Sequence, residues 1–304
     1  MKPLVSIGLP VFNGEKLIAE AVTSLLAQEM PDFELIISDN ASTDNTLKIC
    51  EELQKKDNRI LIYRNEKNVG SVRNFDFVAK MATGKYFMWA SHDDLWSSEY
   101  IKKCLIPLES NKNIVMVYTH NSCIQPDGVK IIEKTDISTV GMTSAAERVK
   151  KLHRNAGRRT AYYGLSRTEA VQSTLPGSRT LSHDHVFLSQ MAVLGQFACV
   201  PEPLFTYRMQ SHLSKSSEQI RGFYQQMIAP DTRWAGKFQT LWPVGLGICA
   251  RITKNKIPLK DKLSIYWSTL GWTLHHSYAD PEKNKIYAAL LFVRRKFKKL
   301  IHSA

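Results

Sequence analysis

The chain has 304 residues, 43% hydrophobic and 23% charged, an ordinary globular composition that excludes a disordered or fibrous protein. Lysine and arginine outnumber the acids 41 to 28, and the net charge of +13 points to an anionic partner: a nucleotide diphosphate, a nucleic acid or an acidic membrane surface. The five cysteines (Cys50, Cys104, Cys123, Cys199, Cys249) are dispersed and odd in number, which argues against a disulfide framework or a zinc site and suits a reducing compartment. The first apolar run, Leu4 to Leu9, is too short for a signal peptide, and no stretch approaches the ~20 residues that span a bilayer, so a cytoplasmic protein is expected.

From Leu4 to Ser91 a short β-prone run, a polar turn and a helix-period segment alternate. The runs Leu4 to Leu9, Phe33 to Ser38, Ile60 to Arg64 and Tyr86 to Ala90 are almost continuously apolar, as in parallel strands covered on both faces. Three right-handed βαβ crossovers follow. The first helix starts after Asn13 and Gly14 with Ile18, Ala21, Val22 and Leu25 as its buried stripe, and Ser42 and Thr43 before Asp44 offer hydroxyl caps to the second. A helix over Glu99 to Leu108 leads to a run Ile114 to Ile124, a Pro126-Asp127-Gly128 turn and a return run Val129 to Glu133, a hairpin pattern. Residues 143 to 153 read as helix, Ala161 to Arg167 as a strand, Pro176 to Ser178 as a loop, and Asp184 to Leu194 as helix. From about residue 214 the texture becomes helical, aromatic and basic, including Leu263 to Tyr278 and Ile286 to Ile301.

In open parallel sheets ligands bind beyond the carboxyl ends of the strands. The unusual polar residues of this chain fall there: Pro10, Phe12 and Asn13 after the first run, Asp39 and Asn40 after the second, Asn65 and Asn68 after the third, and Ser91, His92, Asp93 and Asp94 after the fourth. Four strands delivering polar groups to one rim indicate a binding cleft. The carboxylate of Asp39 could accept from a base or ribose hydroxyl, and Asp93 could ligate a hard cation bridging two phosphates. Adjacent carboxylates repel and favour such a cation.

The stretches "VSIGLPVFNGEKLIAEAVTSLLAQ", "ELIISDNASTDNT", "NVGSVRNF", "GKYFMWASHDDLW" and "HDHVFLSQMAVLGQFACVPEPLFTYRM", in this order, resemble a family 2 glycosyltransferase with the α/β, Rossmann-like fold called GT-A. The resemblance implies a catalytic domain over residues 1–213, its nucleotide-sugar half at about 1–96 and its acceptor half at about 97–213, with a helical, basic region over 214–304. It places Pro10, Phe12, Asn13, Asp39, Asn68, Arg73, Asn74, Asp94 and Arg208 around a nucleotide-sugar donor, a UDP-sugar as first choice, with Asp93 and His212 at a divalent metal, manganese or magnesium. Asp184 falls where similar enzymes carry the catalytic base of a single, inverting displacement onto a hydroxyl of a sugar or lipid-linked acceptor, as in assembly of cell-surface polysaccharide or glycolipid. The chain departs from the family pattern at Ser91, where an acid is usual two positions before Asp93, and at His183, where the residue before the base is commonly acidic.

Simpler roles compete at each position: Asp93, Asp94 and Asp184 as helix caps, Asp184 with His183 and His185 as a metal site, Asp39 as a turn residue, and His212 as a surface histidine. The segment Ile286 to Ile301 has an apolar face interleaved with Arg294, Arg295, Lys296, Lys298 and Lys299. It suits either packing on the catalytic domain or peripheral attachment to an anionic membrane on its inner face, with Trp267 and Trp272 assisting from the preceding segment. Two rival functions share some of these features. A sugar-nucleotide pyrophosphorylase should carry a glycine-rich, lysine-containing loop where this chain has "PVFNGEK", and a non-enzymatic nucleic-acid-binding protein would leave the rim carboxylates facing phosphates, so no nucleic acid partner is expected.

Overall fold

Four apolar runs form one half of a mixed sheet: β1 (Val5–Val11), β2 (Phe33–Asp39), β3 (Ile60–Arg64) and β4 (Tyr86–Trp89) lie parallel in the order β3-β2-β1-β4. The computed structural model describes residues 2–155, 159–177, 183–209, 242–253 and 255–276. Every residue of β1 is buried, because helices cover both faces of a central parallel strand. β1 pairs with β2 from Val5↔Phe33 to Val11↔Asp39, so both strands end at the same level. The crossovers are α1 (Ile18–Leu26), α2 (Thr46–Gln54) and α3 (Ser71–Met81), and α1 buries the expected Ile18, Ala21, Val22 and Leu25.

The hydroxyl cap expected for the second helix is corrected. α2 starts at Thr46, and neither Ser42 nor Thr43 caps it. Asp44 meets its first turn instead, accepting from the Thr46 N–H at 3.0 Å, and the two hydroxyl residues serve a loop described below.

The second half comprises β5 (Leu95–Trp96), α4 (Tyr100–Ser110), β6 (Ile114–Ile124), β7 (Lys130–Glu133), α5 (Ala145–Arg154), a 3-10 turn (Arg159–Tyr163), β8 (Leu165–Arg167), α6 (Thr168–Ser173), α7 (His183–Leu194) and β9 (Gln196–Arg208). The strand expected over Ala161 to Arg167 is therefore half turn and half strand. Gly164 sits between the two parts with no room for a side chain: an added Cβ would lie 2.7 Å from the Val117 carbonyl oxygen. The short β8 pairs antiparallel with both β4 and β6 and so joins the two halves into one sheet, β3-β2-β1-β4-β8-β6-β9-β5.

β9 runs parallel to β6 through a bulge near Thr119 and then pairs antiparallel with β5, Trp96 opposite Phe205 and Leu95 opposite Thr206. This register carries Arg208 back to Asp93 and Asp94. α8 (Trp242–Thr253) and α9 (Leu259–His276) pack on each other and on α5 and α7, where Ile248, Ile252, Ile265 and Trp272 join the core with Val149, Leu152 and Val186. Trp272 is 7% exposed and stacks on His185 at 4.5 Å, so it faces the protein interior rather than a membrane. The boundary expected near residue 213, His212 and the segment Ile286 to Ile301 lie outside the described residues.

Candidate active site

The loops after β1 and β2 are bonded to each other. Asn13, at φ 52°, donates its N–H to Ser42 Oγ at 2.9 Å and accepts the Thr43 N–H on Oδ1 at 2.9 Å. Gly14 donates to Thr46 Oγ1 at 2.7 Å, and Glu15 accepts from the Asn45 N–H at 3.0 Å. Gly14 also lies against the acidic loop, where an added Cβ would stand 2.7 Å from His92 Cδ2 and 2.9 Å from Val11 Cγ2. Pro10 is buried as a strand residue, and Phe12, 38% exposed, projects at the rim.

A chain of amides continues this rim. Asn68 Oδ1 accepts from Asn40 Nδ2 at 2.8 Å, Asn40 Oδ1 from Asn65 Nδ2 at 3.0 Å, and Asn74 Oδ1 from Asn65 Nδ2 at 3.0 Å and from Ser38 Oγ at 2.6 Å. Asn74 is thus buried against β2, while Arg73, one residue earlier on α3, is exposed. Asp39 is fully buried: both its oxygens accept the Ser42 N–H, at 3.2 and 3.3 Å, and Arg64 Nε lies 3.5 Å from Oδ2. Asp39 therefore makes the turn contact and holds an arginine at the rim.

Asp93 and Asp94 are buried, at 7% and 5% exposed, and cap no helix, since α4 begins at Tyr100 without a side-chain cap. The Ser91 hydroxyl donates to Asp93 Oδ1. Arg208 holds the loop in two ways and ties it to α1: its N–H donates to Asp94 Oδ1 at 3.0 Å, Nη1 to the Asp93 carbonyl oxygen at 2.6 Å, and Nη2 to Glu20 Oε2 of α1 at 2.7 Å. Its guanidinium is committed to the protein at the place where a diphosphate contact was expected. Burial, and then the charge of Asp93, push the Asp94 carboxyl well above the usual range.

Tyr163 lies among the acids. Its pKa is raised by burial and then by the charges of Asp94, Asp93 and Asp184. Asp184 stands in the first turn of α7, partly exposed, with Oδ1 accepting from the His185 N–H at 2.8 Å. Carboxylates from two sequence-distant segments, Asp93 with Asp94 and Asp184, therefore act electrostatically on one phenol. Tyr163 was not singled out in the sequence; its signal is the doublet Tyr162-Tyr163 before Gly164, which reads equally well as a strand. His183 packs edge-on against Tyr162, with ring centres 5.6 Å apart, and His185 is buried against Trp272, so the two histidines flanking Asp184 face different surroundings.

Among the described residues no three His, Cys, Asp or Glu side chains are grouped to hold a metal. The donor set at the rim is one carboxylate, Asp93, beside a second, Asp94, whose pKa its charge raises. That set fits a hard cation whose shell is completed by diphosphate oxygens and water, and it does not form an all-protein cage.

The fold matches solved structures of GT-A sugar transferases. TarS residues 1–349 from S. aureus, in complex with UDP-GlcNAc, aligns over 93% of this chain and 78% of its own with a TM-score of 0.67 at 17% identity. The mannosyltransferase PcManGT from Pyrobaculum calidifontis, in complex with GDP-Man and Mn2+, aligns over 98% and 81% with a TM-score of 0.56 at 14% identity. In sequence, the chain is 26% identical over 227 residues to an uncharacterized glycosyltransferase of Haemophilus influenzae, covering 70% of this chain and 68% of that one. It is 32% identical over 130 residues to the putative teichuronic acid biosynthesis glycosyltransferase TuaG of Bacillus subtilis, covering 43% of this chain and about half, 51%, of TuaG. The family model "Glycosyl transferase family 2" matches residues 6–173, more than half of the chain, and the protein belongs to that family. The pyrophosphorylase and nucleic-acid-binding readings give way to this membership.

Proposed function

We propose that the protein is an inverting glycosyltransferase that moves a sugar from a nucleotide-diphosphate donor, a UDP-sugar as first choice, to a hydroxyl of a growing polysaccharide or lipid-linked acceptor. The observation that carries this reading is the buried pair Asp93 and Asp94 in the loop after β4, beyond the carboxyl ends of the parallel strands, held there by Arg208. Two carboxylates at a diphosphate-binding rim and a third on a separate helix match the division of labour that a single displacement needs. The donor reading draws on TarS, solved with UDP-GlcNAc, and PcManGT, solved with GDP-Man; the acceptor reading draws on TuaG, named for teichuronic acid biosynthesis.

In the proposed reaction the nucleotide lies across Phe12, the bonded loops and the amide chain ending at Asn68, with Arg64 and the exposed Arg73 offering cations. Asp184 takes the acceptor proton as the acceptor oxygen bonds to the anomeric carbon, and the bond from that carbon to the diphosphate breaks on the opposite face. The nucleoside diphosphate leaves with the electron pair. Asp94, held by the Arg208 N–H, borders the sugar. A manganese or magnesium ion held by Asp93 would supply charge neutralisation at the departing diphosphate. His212, the second metal residue implied by the resemblance, lies outside the described residues.

A thermal-shift screen of UDP, GDP, dTDP and their sugar conjugates with manganese or magnesium tests the donor half. One nucleotide class should raise Tm in the wild type and in Asp184→Asn, and the rise should be lost in Asp93→Ala. Equal stabilisation of all three proteins would remove Asp93 from the donor site.

A further inference from the structure

Backbone groups fix the orientation of the amide chain at the rim, and this decides what the chain can offer a ligand. Asn40 Oδ1 accepts the Val69 N–H at 2.9 Å, Asn68 Oδ1 accepts the Gly70 N–H at 2.9 Å, and Asn74 Nδ2 donates to the Ser38 carbonyl oxygen at 2.8 Å. A backbone N–H only donates and a carbonyl oxygen only accepts, so each of these three amides has one orientation. Asn65 follows from them: its Nδ2 gives both protons away, to Asn40 Oδ1 and Asn74 Oδ1, each at 3.0 Å, and its Oδ1 is left over. At Asn68 the reverse holds, since Oδ1 takes two donors and the protons of Nδ2 remain. Both residues are half-buried, and neither left-over atom is sealed from solvent or has a partner among the described residues.

Asp39, the acceptor expected for a base or ribose, is fully buried; it already takes the Ser42 N–H on both oxygens, and Arg64 Nε lies 3.5 Å from Oδ2. The Arg64 side chain is 55% exposed, and a guanidinium has only donors to offer. The strand order β3-β2-β1-β4 sets Arg64 and Asn65, at the end of β3, three strand spacings, roughly 14 Å, from the loop of Asp93. With the diphosphate at Asp93, the base end of the nucleotide falls at this edge. Along it stand a donor, Arg64, then an acceptor, Asn65, and, through Asn40, a second donor, Asn68.

We propose that this edge selects a nucleobase with an imide group, an N–H between two carbonyls as in uracil and thymine, with Asn65 Oδ1 accepting the N–H and Arg64 and Asn68 donating to the carbonyl oxygens. The proposal rests on the rim being the donor site, and it moves recognition of the base from Asp39 to Asn65. Cytosine presents an amino group, a bare ring nitrogen and a carbonyl in that order, so its first two groups meet the wrong partners. Adenine has no carbonyl, and guanine follows its carbonyl and ring N–H with a second donor. A donor or acceptor left facing its own kind loses more than a made hydrogen bond gains, so mismatch sets the selectivity.

Isothermal titration in the presence of manganese tests this with UDP, CDP, GDP, ADP and UDP methylated on the imide nitrogen, against the wild type, Asn65→Ala and Asn68→Ala. The wild type should bind UDP about tenfold or more tighter than each of the other four. In Asn65→Ala, UDP and methylated UDP should come within about twofold of each other, because the partner of the N–H is gone. Asn68→Ala should weaken UDP and keep the penalty for methylation. Equal losses for all five nucleotides in Asn65→Ala would make that residue a support of the rim and overturn the proposal. So would wild-type affinities for UDP and methylated UDP within about twofold, a comparison that decides alone where Asn65→Ala does not fold. If no nucleoside diphosphate binds the wild type, the donor site itself fails; if CDP or GDP binds as tightly as UDP, only the choice of base fails.

Discussion

Tyr163 shows at the scale of one residue how a site can be built from groups the sequence keeps far apart. The charges of Asp93, Asp94 and Asp184 all act on its phenol, and the Ser91 hydroxyl donates to Asp93 where the resemblance led us to expect an acid. Gly14 makes the complementary contact from the other side, in a gap that closes on His92. Gly14→Ala should cost about 1–3 kcal/mol, read as a drop in Tm, and should weaken nucleotide stabilisation in the same protein. Asp93, Asp94 and Asp184 were legible in the sequence because acids at strand ends and helix starts stand out against apolar runs. The bonds that absorb Asn13, Asn74 and Arg208 were not legible, because an asparagine or arginine at a rim carries no mark of whether a ligand or another loop will meet it.

Elements show the same division. The first four strands and their helices could be read from composition alone, since strands covered on both faces are nearly unbroken apolar runs, and α1 could be read from its 3.6-residue stripe. β5 and α6 are too short to impose a period, and β8 is set by its partners on both sides rather than by its own three residues. Arg148 is the strongest example of an element fixed by a single side chain. Buried on α5, it donates to the carbonyl oxygens of Met142, Thr143, Ala192 and Val193, the last two in the final turn of α7, which carries Asp184. The Ala192 and Val193 carbonyls are among those that a helix end leaves without intrahelical partners. Arg148→Ala strips all four and should cost about 3 kcal/mol or more in denaturant unfolding, whereas the exposed pair Lys102–Glu29 should cost less than about 1 kcal/mol when Lys102 is replaced by alanine.

At the scale of the whole molecule, one sheet unites the two halves of the fold, and helices α8 and α9 are built into the core beside the helix of Asp184. Trp272→Ala should cost about 3–5 kcal/mol, measured by denaturant unfolding, because its ring stacks on His185 and His153 inside the protein. No helix among the described residues is long and apolar enough to cross a membrane. The net charge of +13 suits the anionic donor proposed above. The central claim is a single displacement with Asp184 as base, and the most direct measurement is proton NMR of slow donor hydrolysis, with water as acceptor, following the first sugar anomer released. From an α-linked donor the account predicts the β anomer first in the wild type and no release in Asp184→Asn; the α anomer first, or an undiminished rate in Asp184→Asn, would contradict it.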